Sequence, residues 1–317
     1  MSLKNTKAVI IGAGHVGSHC ASALIAKCLF NEIVFIDIDV AKARSQALDL
    51  ADAAIFSARD MIVRTGDYTD CKDADIIVVC VGTPPDVNRS RMDYLEETIQ
   101  MVKTIIEPLK NSGFSGVLIN ISNPADVITH YLQEGTGFPF DRVISTSTML
   151  DTARLKCILS SKMGLKPSLI QAFSMGEHGA SQMIPWSKVV VLGRPILQLL
   201  EEQSEKYAAL NLAEITELTR RAGYEIIQGK GSTEFGIGAA LAELAQSIIH
   251  DEQKILPVSV LLKGQYGQND VYASVPAIIG GNGVVEILEI PLTELEITQF
   301  TASCEEIRKN YQLVKDY

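Results

Sequence analysis

Between residues 7 and 123 the chain alternates short, almost wholly apolar runs with longer stretches of helical periodicity, and few architectures accommodate that pattern. The runs fall at 8–11, 33–36, 61–64, 76–81 and 117–121. A strand with one face in water alternates apolar and polar residues, whereas a strand covered on both faces is apolar throughout. Stretches 16–29, 42–54 and 94–110 read as the covering helices. Strands joined through helices run parallel, so the segment is expected to fold as βαβ units in a doubly wound α/β sheet.

The first of these units carries Gly12-Ala13-Gly14-His15-Val16-Gly17 between its strand and its helix. Gly12 and Gly14 allow a tight turn and close approach of backbone to ligand, and Gly17 lets the helix pack on the strand. The free N–H groups at the helix N-terminus then suit a pyrophosphate. Asp37 closes the second strand, where its carboxylate can accept hydrogen bonds from both hydroxyls of an adenosine ribose. A 2′-phosphate would meet that negative charge, so the expected cofactor is NAD rather than NADP.

After Asn123-Pro124 the pattern changes. Helical stretches at 125–133, 150–163, 197–227 and 236–249 alternate with β-rich pieces at 169–173, 188–192 and 258–262. Gly280-Gly281-Asn282-Gly283 marks a hairpin, and 292–315 has the pattern of an amphipathic closing helix. The expected organisation is a Rossmann cofactor domain at 1–145 followed by an α+β substrate domain at 146–317. Net charge is −10 with no basic run, which disfavours a nucleic-acid partner. No apolar run approaches membrane-spanning length and the N-terminus lacks a signal-peptide pattern, so a cytoplasmic protein without a membrane partner is expected. Cys20, Cys28, Cys71, Cys80, Cys157 and Cys304 show no metal-ligand spacing and read as buried free thiols, with no metal site expected.

A hydride-transfer cofactor moves no proton, so oxidising an alcohol also needs a base, and histidine titrates near neutrality. His15 lies in the glycine turn, His19 and His130 fall in expected helices, and His250 lies near a helix end. His178 differs, because Gly176-Glu177-His178-Gly179 is a glycine-flanked loop just after an apolar run. From the local sequence alone, a structural histidine and a catalytic one remain equally open there.

Across essentially its whole length the chain resembles the L-lactate and malate dehydrogenase family. The Gly176–Gly179 loop is similar to that family's active-site signature, which implies that His178 moves the proton. Leu150-Asp151-Thr152-Ala153-Arg154 resembles the LDxxR helix, implying that Asp151 orients His178 and that Arg154 grips the substrate carboxylate. Arg91-Met92-Asp93 is similar to the end of a mobile loop whose arginine polarises the substrate carbonyl; nearby Arg89 does not fit the family spacing, which selects Arg91. Ser122-Asn123-Pro124-Ala125-Asp126 resembles the SNPVD turn, placing Asn123 on the substrate oxygen beside the nicotinamide. Lys230-Gly231-Ser232-Thr233 resembles a KGxT turn, placing Thr233 near the substrate side chain and Ile237 against the nicotinamide. Val16, Tyr68, Gly82, Thr83 and Thr146 match further cofactor-lining positions.

The resemblance implies an NAD-dependent L-2-hydroxyacid dehydrogenase, with pyruvate and L-lactate as the first expectation and a small 2-oxo or 2-hydroxy acid as partner. It also implies self-association as a homotetramer or dimer. At the lid position where lactate dehydrogenases carry glutamine and malate dehydrogenases arginine, this chain has Pro85. Without an arginine there, a second substrate carboxylate lacks its bidentate partner, which disfavours oxaloacetate and leaves room for larger 2-oxo acids, as in L-2-hydroxyisocaproate dehydrogenases. Lys156 and Gln171 replace the arginine and histidine of members activated by fructose 1,6-bisphosphate, so weak or absent activation is expected. An NAD-dependent glycoside hydrolase is the alternative from another class, but it needs a Cys/His metal pair, and no cysteine adjoins His178 in sequence.

Overall fold

The computed structural model describes residues 5–83, 91–315 and 317, with backbone only at 91–93. The expected βαβ units are present: β1 (Lys7–Ile11), α1 (His15–Ala26), β2 (Glu32–Ile36), α2 (Val40–Ala54), β3 (Ile62–Thr65), β4 (Ile76–Val79), α3 (Arg91–Asn111), β5 (Val117–Asn120), α4 (Ala125–Thr136) and β6 (Val143–Ser145). These strands pair in parallel in the order β3-β2-β1-β4-β5-β6. The chain winds outward from β1 in one direction and then, from β4, in the other. A crevice therefore opens beyond the C-terminal ends of β1 and β4, where such sheets bind ligands. Every residue of β1, β4 and β5 is buried, as their unbroken apolar runs require.

The second half begins with α5 (Met149–Met163) and continues through β7 (Ile170–Gln171), β8 (Val190–Val191) and β9 (Arg194–Pro195) to α6 (Ile196–Glu202), α7 (Leu212–Lys230) and α8 (Phe235–Ile249). Strands β10 (Lys254–Lys263), β11 (Asn269–Gly280) and β12 (Gly283–Ile287) precede the closing helix α9 (Glu294–Gln312). Strand β10 pairs antiparallel with β6 at Ser259 and Ser145, so among the described residues one sheet of nine strands runs through both halves. The hairpin falls at 280–283 as its glycines suggest. A second, smaller apolar cluster lies under α5, the short strands β7 to β9 and α6.

Two expectations need correction, and one strand has no counterpart in the sequence reading. The stretch 197–227 is not one helix: it breaks after Glu202, and the Asn211 side chain accepts the N–H groups of Ala213 and Glu214 to start α7 afresh. Strand β6 went unread because three residues give no period. Of the six cysteines, all free, only Cys20, Cys71 and Cys304 are buried; Cys28 and Cys80 are half-buried and Cys157 is exposed. Helix α8 lies close against α1 because Gly238 faces it, where a Cβ would stand 3.0 Å from the His19 carbonyl oxygen. That contact sets Ile237 beside the glycine turn.

Candidate active site

The glycine turn has the geometry its sequence implies. Gly12 adopts φ +109, and a Cβ there would meet the Cys80 carbonyl oxygen at 2.5 Å; one on Gly17 would stand 2.0 Å from the Gly12 carbonyl oxygen. Gly14 faces open space instead. The Asp37 Oδ2 accepts the Ala13 N–H at 2.6 Å, and Oδ1 accepts the Asp39 N–H at 2.9 Å. The acid thus braces the turn and keeps lone pairs for a ribose. Tyr68 lies within its electrostatic reach, with a phenol pushed up to about 12 by burial and by the charges of Cys71 and Asp37. Gly82 and Thr83 follow β4 at the mouth of the crevice. A cradle closed to side chains at two glycines and open at the third, with an acid at the end of β2, fits a dinucleotide.

Next to it, a cavity of about 60 Å³ is lined by Val16, Asn123, Thr146, His178, Thr233 and Ile237, together with Ile121, Ala125, Ser147 and Leu150. Six positions named from the sequence therefore converge there from five separate segments. Pro85 and Arg89 lie outside the described residues, as does the side chain of Arg91, whose backbone opens α3.

Three elements hold His178 in this cavity. Gly176 takes φ +85 and pairs with Ser274 of β11, and a Cβ on it would come within 2.3 Å of the Ser303 hydroxyl on α9. The same hydroxyl accepts the Glu177 N–H at 2.8 Å. The His178 N–H is taken by Asp126 Oδ2 at 2.8 Å. Met175 and Met183 pair across the base of the loop. The imidazole is thereby aimed by backbone contacts before its own side chain makes any.

His178 Nδ1 then meets Asp151 Oδ2 at 2.5 Å, and Arg154 Nη1 donates to Asp151 Oδ1 at 3.0 Å. The i,i+3 spacing on α5 puts both residues on one face, as the sequence suggested. Asp151 is 1% exposed, so it interacts through protein rather than water. Burial works against a charged imidazole, yet Asp151, helped by Asp126, outweighs both burial and the Arg154 charge, and the His178 pKa ends above its ordinary value. Burial likewise pushes the Asp151 carboxyl up, but His178 and Arg154 together bring its pKa below the usual range. The Arg154 guanidinium keeps unspent capacity: Nε is buried and, among the described residues, has no hydrogen-bond partner. Arg154 packs against Gly223 of α7, where a Cβ would stand 3.2 Å from Nη2. Neither Gly223 nor Asp126 was given a role from the sequence. Asp126 was visible as the last letter of its motif, while nothing local marks Gly223.

An imidazole whose protonated form is favoured, a carboxylate fixing its far nitrogen, and a guanidinium beside them, all next to a dinucleotide cradle, can bind a carboxylate and exchange a proton with a neighbouring oxygen. Residues 6–145 match the family model for the lactate/malate dehydrogenase NAD-binding domain, and residues 148–317 the model for the lactate/malate dehydrogenase alpha/beta C-terminal domain. The chain belongs to the lactate/malate dehydrogenase family. Among its relatives, L-lactate dehydrogenase 1 of Bifidobacterium longum subsp. longum is 42% identical over 98% of each chain. A lactate dehydrogenase from a Medee basin deep-sea metagenome superposes with a TM-score of 0.94 at 35% identity, over 99% of this chain and 100% of that one. The minor L-lactate dehydrogenase of Enterococcus mundtii, in its ligands-bound form, gives 0.94 at 33% identity over 98% of each chain. The lactate dehydrogenase fold expected from the sequence is the observed one. Among the described residues, no helix is long and apolar enough to cross a membrane.

Proposed function

We propose that the protein is a cytoplasmic NAD-dependent L-2-hydroxyacid dehydrogenase, acting as an L-lactate dehydrogenase on pyruvate and L-lactate. The observation that carries this reading is that His178, joined through Asp151 to Arg154, lines one cavity with Asn123, Thr233 and Ile237. The glycine cradle at 12–17 and Asp37 would hold the cofactor, with Val16, Tyr68, Gly82, Thr83, Thr146 and Ile237 along its length. When bound, the cofactor supplies or takes up the hydride. Arg154 binds the substrate carboxylate, Asn123 hydrogen-bonds the reacting oxygen and Thr233 borders the side chain. His178, whose protonated form Asp151 favours, protonates the carbonyl oxygen during reduction and accepts that proton during oxidation. By the same family likeness Arg91, at the start of α3, would polarise the carbonyl, and Pro85 would border the substrate side chain. In this reading the cofactor half ends at residue 145 and the substrate half begins at 146.

NADH oxidation measured with pyruvate, 2-oxoisocaproate and oxaloacetate tests the reading. Pyruvate should give the highest kcat/KM and oxaloacetate the lowest. A preference for 2-oxoisocaproate would instead favour the L-2-hydroxyisocaproate type that Pro85 allows, and turnover of none would overturn the proposal. With Lys156 and Gln171 in place, fructose 1,6-bisphosphate should leave the pyruvate KM nearly unchanged. Self-association as a homotetramer or dimer belongs to the same proposal, supported by Val40, Leu48, Ile55 and Phe56, which α2 and the turn after it leave exposed. Light scattering would read the assembly directly.

A further inference from the structure

Asp126 is a carboxylate in an expensive place. It lies in the first turn of α4, three residues after Asn123, and is 2% exposed. Its two oxygens meet donors from different segments: Oδ2 accepts the His178 N–H at 2.8 Å and Oδ1 accepts the Ser147 hydroxyl at 2.9 Å, while the Ser259 hydroxyl of β10 also favours the ionised carboxylate. One side chain thus joins the turn carrying Asn123, the segment carrying Thr146 and Ser147, and the loop carrying His178, all of which line the same cavity. An amide in its place keeps one acceptor for the His178 N–H, but it carries no charge and Ser147 would have to turn its hydroxyl round to accept; a carboxylate alone offers two acceptor oxygens and a negative charge.

The charges give the arrangement a purpose. His178 faces Asp151 and Arg154 from α5 and Asp126 from α4; Asp126 in turn faces His178 and, from α9, the Cys304 thiol. Arg154 alone would disfavour a protonated imidazole beside it. With Asp151 committed to both Arg154 and His178, the two cations in the cluster are balanced only when Asp126 is ionised.

We propose that Asp126 is a positioning residue for the reaction, fixing His178 against the Asn123 turn through the His178 amide and offsetting the Arg154 charge so that the imidazole stays protonated. The inference rests on the reading of His178 as the proton carrier. Burial pushes the Asp126 carboxyl up to about 6, so its ionisation falls within the working range of such an enzyme. Reduction should then be bounded by two limbs, one near pH 6 where Asp126 becomes ionised and one at higher pH where His178 loses its proton.

Asp126→Asn tests this in the full-length protein. Reduction of the best 2-oxo acid should lose roughly 10- to 100-fold in kcat with a smaller change in KM, as expected for a displaced proton donor. The limb near pH 6 should vanish and the upper limb should move to lower pH. Ser147→Ala removes a donor that favours the ionised carboxylate, so it should keep both limbs and shift the lower one upward. A folded Asp126→Asn protein, judged by circular dichroism, with both limbs where the wild type has them overturns the proposal. Should Asp126→Asn fail to fold, an unmoved lower limb in Ser147→Ala overturns it instead. The His178 imidazole can also be titrated by NMR without turnover, and its pKa should drop in Asp126→Asn. If the wild type reduces no 2-oxo acid, the functional reading falls, while this titration still decides whether Asp126 acts on His178.

Discussion

Two regions of the molecule set a histidine against carboxylates, with opposite results. His178 is 22% exposed and meets Asp151 at 2.5 Å; His130 on α4 is 3% exposed and lies 3.4 Å from Glu134 and 3.9 Å from Asp270. Burial lowers the pKa of both, but for His178 the sum ends above the ordinary value and for His130 below it. The partners make the difference. Asp151 is 1% exposed, whereas the side chains of Glu134 and Asp270 are 52% and 84% exposed, so water screens their pull. His130 spends its ring on a stack with Tyr311, 4.0 Å between centroids, and Tyr311 in turn donates to Glu134. Exposed carboxylates near a histidine do not make a proton donor; carboxylates buried with it do.

The largest effect should separate the two sites outright. His178→Ala should lower turnover with 2-oxo acids by about 10²- to 10⁴-fold, the usual share of a general acid, while His130→Phe should leave it unchanged. Steady-state NADH oxidation at saturating substrate checks both, and near wild-type turnover in His178→Ala breaks the contrast. Asp151→Asn comes next. It keeps the shape but removes the charge that distinguishes the sites, so turnover should fall by roughly 10²-fold or more. The upper pH limb of reduction should also move down toward the behaviour of His130. Arg154→Lys should act on a different quantity. A point charge cannot replace a planar pair of donors, and loss of a charge-assisted contact worth about 1.5–3 kcal/mol should raise the 2-oxo acid KM roughly 10- to 100-fold.

How far each region could be read from the sequence follows from how local its contacts are. The cofactor cradle is a strand, a turn, a helix and the end of the next strand, and Gly12, Gly17 and Asp37 take positions that register along those elements dictates. The His178 cluster joins residues 27 and 52 positions apart. No spacing rule connects such residues, and only the likeness to a family motif put Asp151 and Arg154 beside His178. Asp126 stayed without a role because its contact with His178 is to the backbone N–H, which has no residue-type signature. The break between α6 and α7 did leave a signal, Asn211 followed three residues on by Glu214, a helix-start pattern that the unbroken apolar periodicity masked. Nothing comparable announced β6, whose three residues are a strand only because β5 and β10 lie on either side.

The smallest effect is the one that resolves both sites in a single experiment. The His178 pKa is raised in the fold, so the folded protein keeps a proton that the unfolded chain releases. That stabilisation is whole below the unfolded value near 6.5 and is lost as pH rises through the folded pKa. The His130 pKa is lowered, so the folded protein refuses a proton that the unfolded chain takes up. Its contribution is whole above about 6.5 and is lost as pH falls through the folded pKa. Urea unfolding from pH 5 to 9, compared between wild type and each single variant so that other groups cancel, should show opposite slopes. His130→Phe, which retains a ring to stack on Tyr311, should flatten the acid flank and leave the alkaline flank alone; His178→Asn should do the reverse. If both variants flattened the same flank, the two imidazoles would be shifted in the same direction and the contrast between the sites would fail.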